Sequence, residues 1–297
     1  MTLVDVITMF DTDERCRELL VRLRWPNGVE CPRCKMPAVE LATAKQLFYC
    51  KGCDYQFSVT SGTVFNDSHL PLQKWFLATL LLCEPRKGHS ANQMKRELGV
   101  SYKTAWYLCH RIRFAMTEVH KMLDGTIEVD ETYIGGKAKG KGQKWTNKET
   151  VIGIIKRDGD LKFIHVGQQA TSQTIRTVLA EHVSEDVDVI VTDESVLYNS
   201  GLPVAQREKR KTVHHKSDEY VRYENGFMVT TNTIESAFSL FKRGIVGTWH
   251  RVSPKHLASY LNEMTFRFNR RKSHTLFLDT LRHMITAPVL TFERLTA

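Results

Sequence analysis

Two sets of residues in this chain have the chemistry and spacing to hold metal ions. Cys31, Cys34, Cys50 and Cys53 form two CxxC pairs, CPRC and CKGC, with 15 residues between the pairs. Thiolates are soft ligands, and four of them close a tetrahedral zinc site with no position left open for catalysis. The quartet predicts a structural Zn2+; four unconnected buried thiols are the plainer alternative. The second set is acidic. Asp130 lies in TIEVDETYI, Asp193 in VTDES and Glu235 in TNTIESAFSLFKR, with Asn232 three residues before Glu235. Carboxylate oxygens suit hard cations such as Mg2+ or Mn2+. Structural explanations also exist. Asp130 and Asp193 fit solvated strand ends or helix caps. Asn232 and Glu235 fit the cap and third-position acid of a capping box.

The elements that must position these acids follow from periodicity. Thr126 to Ile134 alternates as a strand, with Ile127 and Val129 on one face and Glu128 and Asp130 on the other. Thr150 to Lys156 and Leu161 to Val166 read as two further strands joined at Asp158-Gly159, a hairpin signal. Ser172 to His182 reads as a helix. Val187 to Thr192 reads as a largely buried strand that delivers Asp193 to a cleft edge. A helix around Thr233 to Lys242 has Ile234, Ala237, Phe238 and Phe241 on its apolar stripe. Its polar stripe carries Asn232, Glu235, Ser239 and Lys242, so Lys242 is a candidate phosphate-binding cation two turns from Glu235. On or just after a helix from Pro254 to Asn269, Arg267, Arg270 and Arg271 either bind DNA or cover the surface.

Upstream, residues 1 to 24 read as helical until Trp25-Pro26-Asn27-Gly28, and residues 70 to 119 as three helices. Ser90 fits an N-cap, Gly99 a helix end and Ser101 the next N-cap. The short turn predicts a helix-turn-helix, with an ordinary helical hairpin as the alternative. In the first case Tyr102, Lys103 and Thr104 face the major groove, with Tyr107 and Arg111 a turn or two later. The net charge of +9 over 297 residues favours a polyanionic partner, since Lys and Arg displace counterions from phosphates. Lys137, Lys139, Lys141, Lys144 and Lys148 lie with Trp145 on a glycine-rich loop suited to a nucleic-acid backbone or simply to solvent. No apolar run is long enough to span a membrane, no secretory signal is visible, and the paired cysteines fit a reducing cytoplasm.

The combination is more specific than its parts. CPRC…CKGC, EVDETYIGGK, VTDES, HHKSDEYVR, NTIESAFSLFKRGIVGTWH and SPKHLASYLNEMTFRFNRR resemble DDE-type insertion-sequence transposases with an N-terminal zinc ribbon, over nearly the whole chain. The resemblance implies an α/β fold. A ribonuclease-H-like mixed-sheet catalytic domain would follow a small zinc ribbon and an α-helical helix-turn-helix module. Expected boundaries are 1–60 for the first helix and ribbon, 61–120 for the helical module, 121–275 for the catalytic domain and 276–297 for a tail. It also implies a catalytic triad in which Asp130 and Asp193 take the first two positions. The third is Glu235 or Asn232. Glu235 leads, because a Lys or Arg follows the third acid by seven residues in many relatives, as Lys242 does here. Implied cofactors are Mg2+ (or Mn2+) and Zn2+. Implied partners are double-stranded DNA, as transposon ends and target, and at least a second copy of the chain. His215 and Arg243 join the DNA-contact candidates. Two other readings compete: a transposase-derived regulator that binds DNA without chemistry, and a metal-dependent nuclease without strand transfer.

Overall fold

The computed structural model describes residues 1–41, 46–118, 121–136, 148–214 and 219–297. The chain divides into two compact units, residues 1–117 with 272–297, and residues 118–271.

In the first unit, the helix expected over residues 1 to 24 is two helices, α1 (Leu3–Met9) and α2 (Asp13–Arg24). Thr2 caps α1 in a reciprocal box with Asp5. Thr12, with extended backbone, caps α2 by accepting from the Arg15 N–H. A cap needs non-helical backbone, so Thr12 breaks what periodicity alone would join. Strands β1 (Val39–Glu40), β2 (Phe48–Cys50) and β3 (Tyr55–Phe57) form an antiparallel ribbon in that order. Three helices follow as expected: α3 (Leu72–Cys83), α4 (Ala91–Leu98) and α5 (Tyr102–Ala115).

The second unit is built on a five-stranded mixed sheet. Its strands are β4 (Thr126–Ile134), β5 (Glu149–Lys156), β6 (Leu161–Gly167), β7 (Val189–Thr192) and β8 (Arg210–Thr212), in the order β6-β5-β4-β7-β8. β5 is antiparallel to both its neighbours, while β4, β7 and β8 run parallel. Asp158, at φ 58°, turns the β5–β6 hairpin in the left-handed region that Asp tolerates. Along the chain, helix α6 (Ser172–His182) joins β6 to β7, helices α7 (Leu197–Gly201) and α8 (Val204–Arg207) join β7 to β8, and the hairpin of β9 (Arg222–Glu224) and β10 (Phe227–Val229) precedes α9 (Asn232–Gly244). A π-helical turn, Ile245–Trp249, continues α9, and α10 (Pro254–Asn269) completes the unit. Residues 272–297 return to the first unit as α11 (Leu276–Thr286), packed on α2, α3 and α5, and α12 (Phe292–Thr296).

The alternation of β4 is realised as two separate cores. Ile127 and Val129 join Ile152, Ile154, and Ile175 and Leu179 of α6 on one face. Val151, Ile155 and Phe163 pack with Ile234, Phe238 and Phe241 of α9 on the other, together with Leu261 and Met264 of α10. Gly153 sits opposite Asp130 in the β4–β5 ladder. A Cβ there would stand 2.6 Å from Phe238 Cζ and 2.7 Å from Ile234 Cδ1. The missing side chain is what lets α9 approach the strand so closely.

Gly153→Ala is therefore expected to overpack this layer and lower stability by about 1–3 kcal/mol, measured by urea unfolding. An unchanged midpoint would show that α9 can move away freely.

Candidate functional site

The parallel pairing of β4 with β7 sets the two aspartates side by side. Glu128 pairs with Val191, and two residues beyond that pair on each strand lie Asp130 and Asp193. The Asp193 carboxylate accepts the Ser195 N–H at 3.0 Å, a tight turn just past the end of β7. Glu235 lies in the first turn of α9, half-buried, and accepts the Thr231 hydroxyl at 2.8 Å. Burial, and then the negative charges of Glu131, Asp193 and Glu235, push the Asp130 carboxyl up to about 7. Asp193 and Glu235 thus both stand close enough to Asp130 for their charges to raise it, and with it they form an acidic rim. Among the described residues, the four cysteines are the one set of three or more ligand atoms drawn within 4.8 Å of each other. The carboxylates are more widely set.

What brings Glu235 to this rim is Glu128, whose role the alternation of β4 did not disclose. Its side chain is fully buried. It accepts the backbone N–H groups of Thr233 and Ile234 at 2.9 and 3.0 Å and the Thr233 hydroxyl at 3.0 Å. Arg157 Nε completes the set at 2.9 Å. A strand carboxylate therefore caps α9 where its N–H groups lack helical partners and its dipole favours negative charge. Arg157 also donates to the carbonyls of Met228 and Thr230, at 2.7 and 3.0 Å, securing the segment that leads into α9.

This corrects the capping-box alternative. Thr231, not Asn232, is the N-cap residue, and its hydroxyl donates to Glu235 instead of accepting from the helix. Asn232 is exposed, its own N–H turned to the Thr230 hydroxyl at 3.2 Å. Lys242 and Arg243 are exposed in the last turn of α9.

On the opposite face of β4, Tyr198 of α7 is buried and donates to Glu131 at 2.5 Å. Burial, followed by the Glu131 charge, holds the Tyr198 hydroxyl well above its ordinary range, so it remains a donor.

The cysteine set is closed. Cys31 and Cys53 sulfurs stand 3.7 Å apart, Cys34 and Cys50 3.4 Å. A tetrahedron of sulfurs about 2.3 Å from a zinc ion has edges of about 3.8 Å, so the spacing fits. Burial opposes ionisation of Cys31, but the N–H groups of Cys34 and Arg33 in its knuckle, with the Cys53 and Cys34 thiols, together outweigh it, and the thiol falls to about 7. Knuckle N–H groups that favour a thiolate suit a metal ligand. Arg33 stacks over Tyr55 at 3.6 Å, while Lys35 and Lys51 are exposed.

The turn between α4 and α5 follows its sequence reading. Ser90 and Ser101 accept from the N–H groups of Gln93 and Thr104, and Gly99 is left-handed at φ 61°. Tyr102, Lys103 and Thr104 are exposed at the start of α5. Two of the expected groove residues turn inward instead. Arg111 is 4% exposed, lies over the rings of Trp75 and Tyr107, and donates to the Asn66 carbonyl. Tyr107 donates to the Leu290 carbonyl. In α10, Arg267 is buried against Glu263, and Arg270, the residue after the helix, is paired with Glu118 over the Phe266 ring. Lys137, Lys139, Lys141, Lys144, Trp145 and His215 lie outside the described residues.

A mixed sheet in the order β6-β5-β4-β7-β8 with β5 reversed, carrying one acid in the middle of its central strand and another just past the end of the adjacent parallel strand, is a ribonuclease-H-like arrangement. Residues 122–269 match the ISXO2-like transposase domain, and residues 11–56 the transposase zinc-ribbon domain. Over 281 residues the chain is 31% identical to the "Uncharacterized protein in transposable element ISH50" of Halobacterium salinarum (strain ATCC 700922 / JCM 11081 / NRC-1), covering 88% of this chain and 92% of that protein. Among solved structures, that of a pre-cleavage Mos1 transpososome is similar over 71% of this chain and 77% of that chain, at 12% identity and a TM-score of 0.26. The chain belongs to the ISXO2-like family of DDE-type insertion-sequence transposases with an N-terminal zinc ribbon.

Removing Glu128 takes the carboxylate partner from Arg157, which is left with its two carbonyl bonds, and leaves two helix N–H groups without their acceptor. Glu128→Ala is expected to destabilise the chain by on the order of 3 kcal/mol in urea unfolding, and a loss below about 1 kcal/mol would contradict the clamp. Elemental analysis of the purified chain should find one zinc, lost in Cys31→Ser together with a lower melting temperature. Zinc-free protein with unchanged melting would rule the site out.

Proposed function

We propose that this chain binds the terminal inverted repeats of its element, cuts DNA there and joins the freed end to target DNA. Asp130, Asp193 and Glu235 hold Mg2+ or Mn2+ for this reaction. The observation that supports it best is that Asp130 and Asp193 each follow the last β4–β7 pair, Glu128 with Val191, by two residues, with Glu235 of α9 close enough for its charge to raise Asp130. Hard oxygen donors that repel one another fit divalent cations. Such ions, when bound, activate an attacking oxygen and offset charge on a leaving one.

Two phosphoryl transfers make up the reaction. Water first attacks the phosphodiester at the element's end, releasing a 3′-hydroxyl. That hydroxyl then attacks a target phosphodiester, and a target 3′-oxygen leaves. Protein groups do little covalent work in such transfers, so positioning and charge dominate. The Thr231 hydroxyl keeps the Glu235 carboxylate turned to the rim. Lys242 and Arg243, exposed on the same helix, bind DNA phosphates. Tyr102, Lys103 and Thr104 enter the major groove and select the ends. Lys137, Lys139, Lys141 and His215 add backbone contacts. Paired ends call for two or more copies of the chain, acting in the cytoplasm.

Incubation with the element's terminal repeats and Mg2+ tests this reading. Wild type should cut and join. Asp130→Asn, Asp193→Asn and Glu235→Gln should each bind the repeats with wild-type affinity while cleaving at least about 100-fold more slowly. Binding without any cleavage by the wild type would leave a regulator, and cleavage without joining a nuclease. If Glu235→Gln cuts normally and Asn232→Ala does not, Asn232 is the third ligand.

A further inference from the structure

Asp193 stands one residue past the last ladder pair of β7, Thr192 with Thr212. Its place depends on Arg210, the first residue of the neighbouring strand β8. The guanidinium reaches over the end of β7 and meets four acceptors, three in the Asp193 turn and one on α7. Nε donates to the Thr192 hydroxyl at 2.9 Å. One terminal nitrogen donates to the Asp193 carbonyl at 3.0 Å and the Ser195 carbonyl at 3.4 Å. The other donates to the Asn199 side-chain oxygen at 2.6 Å. The Thr192 hydroxyl, receiving from Arg210, donates in turn to the Asp193 carbonyl at 2.8 Å.

None of these bonds goes to the Asp193 carboxylate. That group is left to the Ser195 N–H and to the rim. The arginine holds the backbone on both sides of the acid and leaves the acid itself available. Its planar fork fits this task, because fixed donors in one plane reach several acceptors at set angles; a lysine ammonium presents a single rotatable centre. The guanidinium also lies 5.5 Å from the ring of Tyr198, the donor to Glu131 beside Asp130. A chain of contacts thus runs from the Asp193 turn through Arg210 and Tyr198 to β4.

We infer that Arg210 is a positioning residue for the second acid: through the Thr192–Ser195 turn it fixes where the Asp193 carboxylate stands relative to Asp130, and so the affinity of the pair for a divalent ion. This rests on the reading of Asp130 and Asp193 as metal ligands. Groups that orient a ligand without touching the metal typically change metal affinity by about 10–100-fold when altered. Arg210→Lys keeps the charge and loses the fork. Thr192→Val removes one acceptor with little change of volume, and Thr192→Ser retains it.

The test is Mn2+ binding to the full-length, zinc-loaded chain without DNA, read from the electron paramagnetic resonance signal of free Mn2+. Melting temperature and terminal-repeat binding are measured alongside. Arg210→Lys should weaken Mn2+ binding at least about tenfold, and Thr192→Val should weaken it measurably. Thr192→Ser should match wild type, and all should bind DNA equally. Raised Mn2+ should restore cleavage by Arg210→Lys but not by Asp193→Asn. Wild-type Mn2+ affinity in both Arg210→Lys and Thr192→Val overturns the inference. If Arg210→Lys melts far below wild type, Thr192→Val against Thr192→Ser decides, and equal affinities overturn it. Failure of the underlying reading looks different: wild type itself then shows no Mn2+ site that Asp193→Asn removes.

Discussion

The buried carboxylate of Glu128 is the interaction on which the catalytic unit's geometry turns. An ionised carboxyl with no exposure is costly unless its oxygens are filled, and here four donors fill them. Two are helix N–H groups that would themselves lack partners. Each side of the contact thus removes the other's desolvation penalty, and it does so in one register of α9 against β4. A shift of α9 by one residue would bury the charge without its donors. The same register brings Phe238 and Ile234 over Gly153, the partner of Asp130. Polar and apolar packing therefore agree on where α9 begins, and Glu235 follows from that.

A framework this strongly determined is needed because the rim works against itself. Glu131, Asp193 and Glu235 all raise the Asp130 carboxyl, so ionised acids there repel one another in a partly buried setting. A loose site would relieve this by spreading. Each acid is instead carried by an element held from elsewhere. β4 is central in the sheet, α9 is pinned by Glu128, and the end of β7 is gripped by Arg210. Repulsion among the acids is borne mainly by the contacts that hold these elements, while each carboxylate accepts a hydrogen bond through one oxygen.

Most of the local structure was legible because local rules govern it. The alternation of β4, the Asp158-Gly159 turn, the caps at Ser90 and Ser101 and the bounds of α6 and α10 all match their sequence readings. Errors arose where composition misleads. A continuous helix was expected across Thr12, although its side chain competes for the backbone. Arg111 and Tyr107 fall at the spacing of a groove-facing stripe, yet aromatic neighbours draw both inward. A guanidinium packs flat on rings as readily as it pairs with phosphate, and spacing along one helix does not distinguish the two.

The two candidate metal sites differ in legibility for the same reason they differ in chemistry. The cysteine ligands come from two knuckles of one ribbon, so nearly the whole site is written within residues 31 to 53. The carboxylate rim joins residues 130, 193 and 235, and its acids stand out in the sequence because a carboxylate in or just past an apolar strand, or in a first helical turn, is visible one at a time. What orients them was not. Glu128 meets Thr233 and Ile234 more than a hundred positions away, and Arg210 meets a turn on a neighbouring strand. Neither carries a local signature: an acid in a strand and an arginine at a strand start read as surface. Their effect exists only once the sheet order is known, because parallel strands place like positions level. For a site of this kind the reactive groups are properties of short motifs, whereas the distances between them are properties of the fold.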